Sequence, residues 1–166
     1  MKKTLIVVDM QNDFIDMALG TKEAVAIVPK VKEKIEEYIK EGNEVIYTRD
    51  THFENYLDTP EGKKLPVPHC IKGTKGWEIA DGLYVEGAKI IDKPNFGWPN
   101  WDREELFDVE LVGLCTDICV VSNALIIKAN FPDIKVSVDR NCCAGVTPES
   151  HNAALLTMQM CQIDVK

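Results

Sequence analysis

The sequence lacks the features of proteins that bind nucleic acids, span membranes or are exported. Its 19 lysines and arginines are outnumbered by 27 aspartates and glutamates, for a formal net charge of -8, and they form no basic cluster. No stretch approaches the roughly 20 apolar residues of a membrane span. The first apolar run, from Thr4, meets Asp9 too early for the core of a signal peptide. We therefore expect a cytoplasmic protein with no nucleic-acid or membrane partner.

Histidine is also scarce, whereas cysteine is not. The chain has 3 histidines, His52, His69 and His151, beside 6 cysteines. At 166 residues, a single domain buries roughly 68–70% of the surface of its unfolded chain, so it needs neither disulfides nor a structural metal. In a reducing compartment the cysteines are expected to be free thiols. Any bound metal is therefore expected to serve the function.

Strand and helix patterns alternate along the whole chain, with no repeat and no linker between them. The run from Thr4 to Asp9 is typical of a strand buried on both faces, and apolar residues recur every four positions from Ile27 to Ile39, as in a helix. Further strands are predicted at Glu44 to Arg49, Lys89 to Asp92, Val109 to Leu114, Ile134 to Val138 and Gln162 to Val165. Further helices are predicted at Asp102 to Phe107, Asp117 to Ala129 and Glu149 to Met160. The alternation predicts an α/β fold, a three-layer α/β/α domain over residues 1–166 with a mostly parallel sheet.

Residues with reactive side chains fall at the ends of the predicted strands. Asp9 follows the first, Asp50 the second and Lys93 the third, and the segment from Cys115 to Cys119 follows the fourth. The carboxyl ends of parallel strands face one crevice. The sequence therefore predicts one site built from four strand ends.

The long polar loop after the second strand contains candidate metal ligands. Asp50 and His52 are two residues apart, so at a strand end their side chains lie on the same side. Glu61 and His69 follow in the same loop and complete a set of oxygen and nitrogen donors suited to Zn²⁺, Mn²⁺ or Fe²⁺. The alternative is a solvated polar loop without a metal.

Cys119 is the best candidate for a nucleophile among the six cysteines. It lies at the entry to a predicted helix, where the helix dipole and free backbone N–H groups favour a thiolate. Asp9 and Lys93 each end an apolar strand, where a buried charge requires a partner. An inert cysteine beside a structural ion pair is the alternative, and Cys115 with Cys119 could form a regulatory disulfide or a metal-binding pair. The remaining candidates are interpreted as structural: Cys142, Cys143, Cys161 on an apolar helix face, and His151 as a capping or packing residue.

Four motifs together resemble the isochorismatase-like cysteine hydrolases, and in particular their nicotinamidase (pyrazinamidase) branch. The resemblance covers the chain from Thr4 to about Ala154. The motifs are Asp9-Met10-Gln11-Asn12-Asp13-Phe14, Asp50-x-His52 with Pro68-His69-Cys70 and Gly73-Thr74-x-Gly76, Lys93-Pro94, and Gly113-x-x-Thr116-Asp117-x-Cys119-Val120.

The resemblance implies hydrolysis of nicotinamide, and of pyrazinamide, to the acid and ammonia through a thioester. Cys119 would be the nucleophile, Asp9 its proton acceptor and Lys93 the residue that holds both in place. The backbone N–H groups of Cys115 and Cys119 would form the oxyanion hole, shaped by a cis peptide between Leu114 and Cys115. A homo-oligomer is expected as well, because relatives are often dimers or tetramers.

The same resemblance implies how the substrate is held. Asp50, His52 and His69 would bind one divalent metal ion, with Zn²⁺ preferred over Mn²⁺ or Fe²⁺, and the metal would bind the pyridine nitrogen. Glu61 is the best-placed fourth ligand, with Glu54 as the alternative. Phe14 would pack on the ring. The opposite wall departs from the family, because Pro66 stands where relatives carry an aromatic residue; the possible replacements are Tyr56, Phe96, Trp98 and Trp101.

Three other functions remain open from the sequence. An amidase or ureide hydrolase of the same superfamily would keep Asp9, Lys93 and Cys119 but would usually lack the metal ligands. A non-haem iron oxygenase needs two histidines and a carboxylate, but it leaves those three residues unexplained. A catalytically silent ligand-binding relative is the third.

Overall fold

The computed structural model of the chain describes every residue from Met1 to Lys166 and is built around one six-stranded sheet. Every neighbouring pair of strands is parallel, and the order across the sheet is β3-β2-β1-β4-β5-β6. The strands are β1 (Lys3–Val8), β2 (Glu44–Asp50), β3 (Lys89–Lys93), β4 (Asp108–Leu114), β5 (Val136–Ala144) and β6 (Asp164–Val165). The predicted α/β class with a parallel sheet is confirmed.

Helices cover both faces of this sheet, which makes the three predicted layers. The helices are α1 (Asn12–Ile15), α2 (Lys22–Lys40), α3 (Pro60–Lys64), α4 (Val121–Asn130) and α5 (Pro148–Met160). On one face α2 buries Val31 and Ile35 against the sheet, and on the other α4 and α5 bury Ile127 and Met158. None of the helices is both long and apolar enough to cross a lipid bilayer.

Three local predictions were wrong. The helix predicted from Asp102 to Phe107 is a short 3₁₀ turn, Trp101–Arg103, because buried Trp101 and Leu106 are five residues apart and cannot share a helix face. β5 continues past Val138 to Ala144, with a register shift against β4 where polar residues bulge outward. Cys161 lies just past the end of α5 and is exposed.

The strand order reverses direction between β1 and β4. Strands β2 and β3 lie on one side of β1, and β4 to β6 lie on the other. In open parallel sheets the crevice at such a switch point, beyond the carboxyl ends of the strands, is the usual ligand site. Asp9 directly follows β1 and Cys115 directly follows β4, so both residues border this crevice.

Candidate active site

Lys93 joins Asp9 and Cys119 into one buried cluster at the strand ends. Lys93 is the last residue of β3, and its Nζ lies 2.6 Å from Oδ2 of Asp9 and 3.4 Å from Sγ of Cys119. The same ammonium donates to the carbonyl of Asn95 at 3.1 Å. Lys93 and Asp9 are fully buried and Cys119 is 4% exposed. The three residues that the sequence placed at separate strand ends therefore meet.

Asp9 is held in place with one oxygen left free to accept a proton. Its backbone has the left-handed φ of +48°, which is uncommon for a residue with a side chain. Thr48 donates from Oγ1 to Oδ1 of Asp9 at 2.6 Å. Oδ2 forms an ion pair with the ammonium of Lys93 and accepts no hydrogen bond from any other group. This oxygen can receive the proton of a nearby thiol.

Burial sets the protonation states of these groups. It raises the pKa of Asp9, and the charge of Lys93 offsets this only in part, so the carboxylate is a stronger base than usual. Burial lowers the pKa of Lys93, but the nearby Asp9, Cys119 and Asp50 raise it by a larger amount. The net pKa is above the usual value, so the ammonium stays charged. Burial also raises the pKa of Cys119 well above that of an ordinary thiol. The helix position favoured a thiolate, but burial has the opposite effect and Cys119 is a neutral thiol that needs a base.

The turn that carries Cys119 is wider than an α-helical turn. Between β4 and α4, residues Thr116–Val120 form a π-helical turn, in which the N–H of Val120 donates to the carbonyl of Cys115 at 3.0 Å. Such turns are frequent at functional sites. The peptide between Leu114 and Cys115 is cis, as the resemblance implies. The N–H of Cys115 donates to no other group of the chain and is available to an oxyanion.

The four candidate metal ligands form one compact group. Donor atoms of Asp50, His52, Glu61 and His69 all lie within 4.8 Å of one another. Nε2 of His52 is 2.9 Å from Oδ2 of Asp50 and 3.7 Å from Oε1 of Glu61, and Nε2 of His69 is 3.5 and 3.8 Å from the same two atoms. Donors about 2.1 Å from a tetrahedral ion are separated by about 3.4 Å. The observed spacings fit a divalent cation at the centre of the group.

Three further features of this group suit a cation. Oδ1 of Asp50 is buried without a hydrogen-bond partner, and the nearest positive charge, Nζ of Lys93, is 3.9 Å away, so a cation closer to this oxygen would offset the cost of its burial. Burial raises the pKa of Asp50, but His52, His69 and Lys93 lower it more, so the carboxylate is ionised. Nδ1 of His69 lies 2.7 Å from the carbonyl of Val67, which leaves Nε2 for the metal. Glu54 is exposed and lies outside the group.

Cys119 and three of the four candidate metal ligands, Asp50, Glu61 and His69, line one cavity of about 470 Å³. This volume is within the range of roughly 300–1,000 Å³ that is usual for small-molecule sites. Phe14 lines the cavity, with its ring centroid 5.4 Å from that of His69. The other lining residues include Asp50, Glu61, Leu65, His69, Asn95, Phe96, Cys115, Ile118 and Cys119.

Phe96 is the only one of the four aromatic candidates that lines this cavity. Tyr56 does not line the cavity. It is buried against two of the candidate metal ligands, with its ring centroid 4.8 Å from that of His52 and 5.0 Å from that of His69. Pro66 is exposed and does not reach the cavity, whereas its neighbour Leu65 does. Phe14 and Phe96 are therefore the phenyl rings in the lining, and Leu65 is one of its aliphatic residues.

The remaining histidine and cysteines lie outside the metal-ligand group. Nδ1 of His151 is 2.7 Å from Oγ1 of Thr116, so this side chain packs on the nucleophile turn. All six cysteines are free thiols, so Cys115 and Cys119 form no disulfide. Cys142 and Cys143 are buried in the core.

Gln11 is a positioning residue that the sequence interpretation missed. It is fully buried, its Oε1 accepts from the N–H of Asp50 at 2.8 Å, and its Nε2 donates to the carbonyls of Asp50 and Trp77 at 2.9 and 2.8 Å. The side chain thereby fixes the strand end from which Asp50 projects. Its location in the quoted motif, two residues after Asp9, was the available signal, but its partners are far away in sequence.

We expect Gln11→Ala to weaken metal binding by roughly 10- to 100-fold, as is typical when a residue that supports a ligand is lost. The measurement is metal stoichiometry and affinity of the purified variant. Asn12→Ala is the matched control, because Asn12 makes one exposed hydrogen bond, to the carbonyl of Lys75. Unchanged affinity in Gln11→Ala would show that the strand end needs no such support.

Comparison with known proteins identifies the family. Residues 3–165 match the family model described as the isochorismatase domain, and the chain belongs to the isochorismatase family, a family of hydrolases. It is 30% identical to an isochorismatase family protein of Bacillus subtilis, over 93% of each chain. It is 28% identical to the nicotinamidase/pyrazinamidase of Mycobacterium tuberculosis, covering 98% of this chain and 97% of that protein. The crystal structure of the Pyrococcus horikoshii pyrazinamidase in complex with zinc superimposes with a TM-score of 0.87 at 30% identity, covering 100% of this chain and 99% of that one.

Proposed function

We propose that the protein hydrolyses nicotinamide, and also pyrazinamide, to the carboxylic acid and ammonia. The observation that carries this proposal is that Cys119, which Lys93 joins to Asp9, lines one cavity with Asp50, Glu61 and His69 of the metal-ligand group. A neutral thiol beside a carboxylate of raised pKa suits nucleophilic attack on an amide. Relatives named nicotinamidase in two other organisms support the same substrate.

In the first half of the reaction, the substrate acylates Cys119. Asp9 accepts the thiol proton as the sulfur attacks the carboxamide carbon, and the carbonyl oxygen becomes an oxyanion bound by the N–H groups of Cys115 and Cys119. The carbon–nitrogen bond then breaks, Asp9 returns the proton to the leaving nitrogen, and ammonia departs. Lys93 keeps the carboxylate and the sulfur within reach of each other throughout.

In the second half, water hydrolyses the thioester. Asp9 accepts a proton from the attacking water, the same N–H groups bind the second oxyanion, and the carbon–sulfur bond breaks. The proton goes from Asp9 back to the sulfur. The acid leaves and the neutral thiol is restored.

Asp50, His52, Glu61 and His69 would hold a divalent metal ion, with Zn²⁺ the preferred metal. When bound, the ion would supply a coordination position beyond its four protein ligands for the pyridine nitrogen, and so would orient the ring. Phe14, Phe96 and Leu65 line the cavity and would contact the ring. A metal position that accepts a ring nitrogen as a ligand would favour azine carboxamides over aliphatic amides.

The test is an ammonia-release assay of the purified protein with nicotinamide, pyrazinamide and small aliphatic amides. We expect release from the two azine carboxamides at kcat/KM values at least about tenfold above those for aliphatic amides, a difference of about 1.4 kcal/mol. Release from an aliphatic or ureide substrate alone would point to a different amidase of the family. Oxygen consumption without ammonia release would support the oxygenase instead.

A further inference from the structure

Asn123, on α4, has a fully buried side chain with all of its hydrogen-bonding capacity in use. Oδ1 accepts from the N–H of Trp98 at 2.8 Å and from Nε1 of Trp101 at 2.9 Å. Nδ2 donates to the carbonyl of Cys119 at 2.8 Å and to that of Phe96 at 3.1 Å. Two acceptor and two donor positions are all that an amide offers, so the orientation of this side chain is fixed.

These four bonds connect the nucleophile to the wall of the cavity. Cys119 lies on the turn before α4, and Phe96 lies on the segment between β3 and β4 that lines the cavity. The N–H of Phe96 bonds to the side chain of the neighbouring Asn95. Every other hydrogen bond from the segment Phe96 to Trp98 to the rest of the chain ends on Asn123.

Packing brings the segment from Phe96 to Trp98 close to α4, but it does not fix the position of the segment along the helix axis. A Cβ built on Gly97 would come within 2.5 Å of Cδ1 of Ile126, so a larger residue here would have to displace the end of that side chain. Contacts of this kind are not directional, whereas the bonds of Asn123 specify one position.

We propose that Asn123 is a specificity-determining positioning residue, which sets the place of the Phe96 ring relative to the sulfur of Cys119. This inference rests on the proposed function for its substrate. Asn123 itself lines no part of the cavity. Through Phe96 it affects the binding of a flat ring. Through the carbonyl of Cys119 it affects the position of the turn Thr116–Val120, which carries the sulfur.

The test is a double-mutant cycle on KM for nicotinamide, with Asn123→Asp, Phe96→Ala and the double variant. Asn123→Asp keeps the size and the acceptor oxygen but removes the amide donor. We expect each single variant to raise KM by roughly 2- to 10-fold, the size of one aromatic contact. The double variant should have the KM of Phe96→Ala alone. Asn123→Asp should lower kcat by the same factor whether residue 96 is phenylalanine or alanine. KM increases that multiply would show that Asn123 does not act through Phe96, and would overturn the proposal.

A second measurement does not depend on turnover. Iodoacetamide and its N-phenyl derivative alkylate the cysteine sulfur, which forms a carbon–sulfur bond as iodide leaves, and peptide mass spectrometry locates the label on Cys119. We expect the wild type to prefer the phenyl reagent, and both single variants and the double variant to lose this preference equally. If nicotinamide is not hydrolysed but this pattern holds, the proposed substrate is wrong and the role of Asn123 stands. An unchanged preference in Asn123→Asp would contradict that role.

Ser122→Ala is the matched control, one residue earlier on the same helix, where the side chain bonds only to the carbonyl of Ile118 within the helix. It should retain the KM and the labelling preference of the wild type. If Asn123→Asp does not fold, judged by circular dichroism, the cycle is run with Asn123→Ser, which is neutral, smaller and unable to span both carbonyls. The same outcomes then decide the proposal.

Discussion

Replacing Cys119 by alanine abolishes the release of ammonia from nicotinamide. Without the sulfur no thioester forms, and Asp9 and Lys93 have no nucleophile to serve. Loss of a catalytic nucleophile typically lowers kcat by a factor on the order of 10⁴–10⁶. The measurement is steady-state ammonia release at saturating nicotinamide. Circular dichroism and metal content should remain those of the wild type, because Cys119 is not among the metal-ligand group.

The control for this variant is Cys143→Ala. Cys143 is as buried as Cys119, at 4% exposure, so both changes remove one sulfur from a packed interior and should have similar effects on stability. Only the change at Cys119 should remove activity. An active Cys119→Ala variant, or an inactive but folded Cys143→Ala variant, would refute the assignment of the nucleophile.

Replacing the candidate metal ligand His52 by alanine is expected to produce the second large effect. We expect His52→Ala to lose bound metal and to reduce kcat/KM for nicotinamide by on the order of 10²-fold or more, since even the loss of a residue that only supports a ligand costs 10- to 100-fold. The measurements are metal analysis of the purified protein and kinetics before and after chelation. Adding Zn²⁺, Mn²⁺ or Fe²⁺ separately to the chelated wild type should restore activity and rank the three metals.

His151→Ala is the control for metal content. His151 bonds to Thr116 and lies outside the metal-ligand group, so this variant should retain one metal ion per chain. If His52→Ala also retains a full equivalent of metal, the ligand set is wrong. If the chelated wild type keeps its activity, the metal has no part in binding the substrate.

The sequence predicted the fold because its signal is local. Each buried strand is a short apolar run, and β1 is buried along almost its whole length. The polar residue after each run marked the crevice, since parallel strands align their carboxyl ends. β5 was misjudged at its end, because a bulge lets polar residues continue a strand that the apolar pattern had ended.

The supporting residues of the site could not be predicted in the same way. Apart from the bond of Asn123 to the carbonyl of Cys119, the side chains of Gln11 and Asn123 bond to residues 22 or more positions away, and no periodicity reports such pairs. Burial of Cys119 was equally invisible, although it decides that the thiol is neutral. Such properties depend on the three-dimensional surroundings of a residue rather than on its neighbours in the chain.

The connection between β2 and β3 contributes three of the four candidate metal ligands, His52, Glu61 and His69, and the fourth, Asp50, is the strand residue just before it. The cluster around the sulfur comes instead from the ends of β1, β3 and β4. In the proposed function, recognition of the ring nitrogen and cleavage of the amide are thus encoded in separate stretches of sequence. Exchanging this single connection for another could give the same hydrolytic residues a new substrate, and a family built on this sheet can diversify by that route.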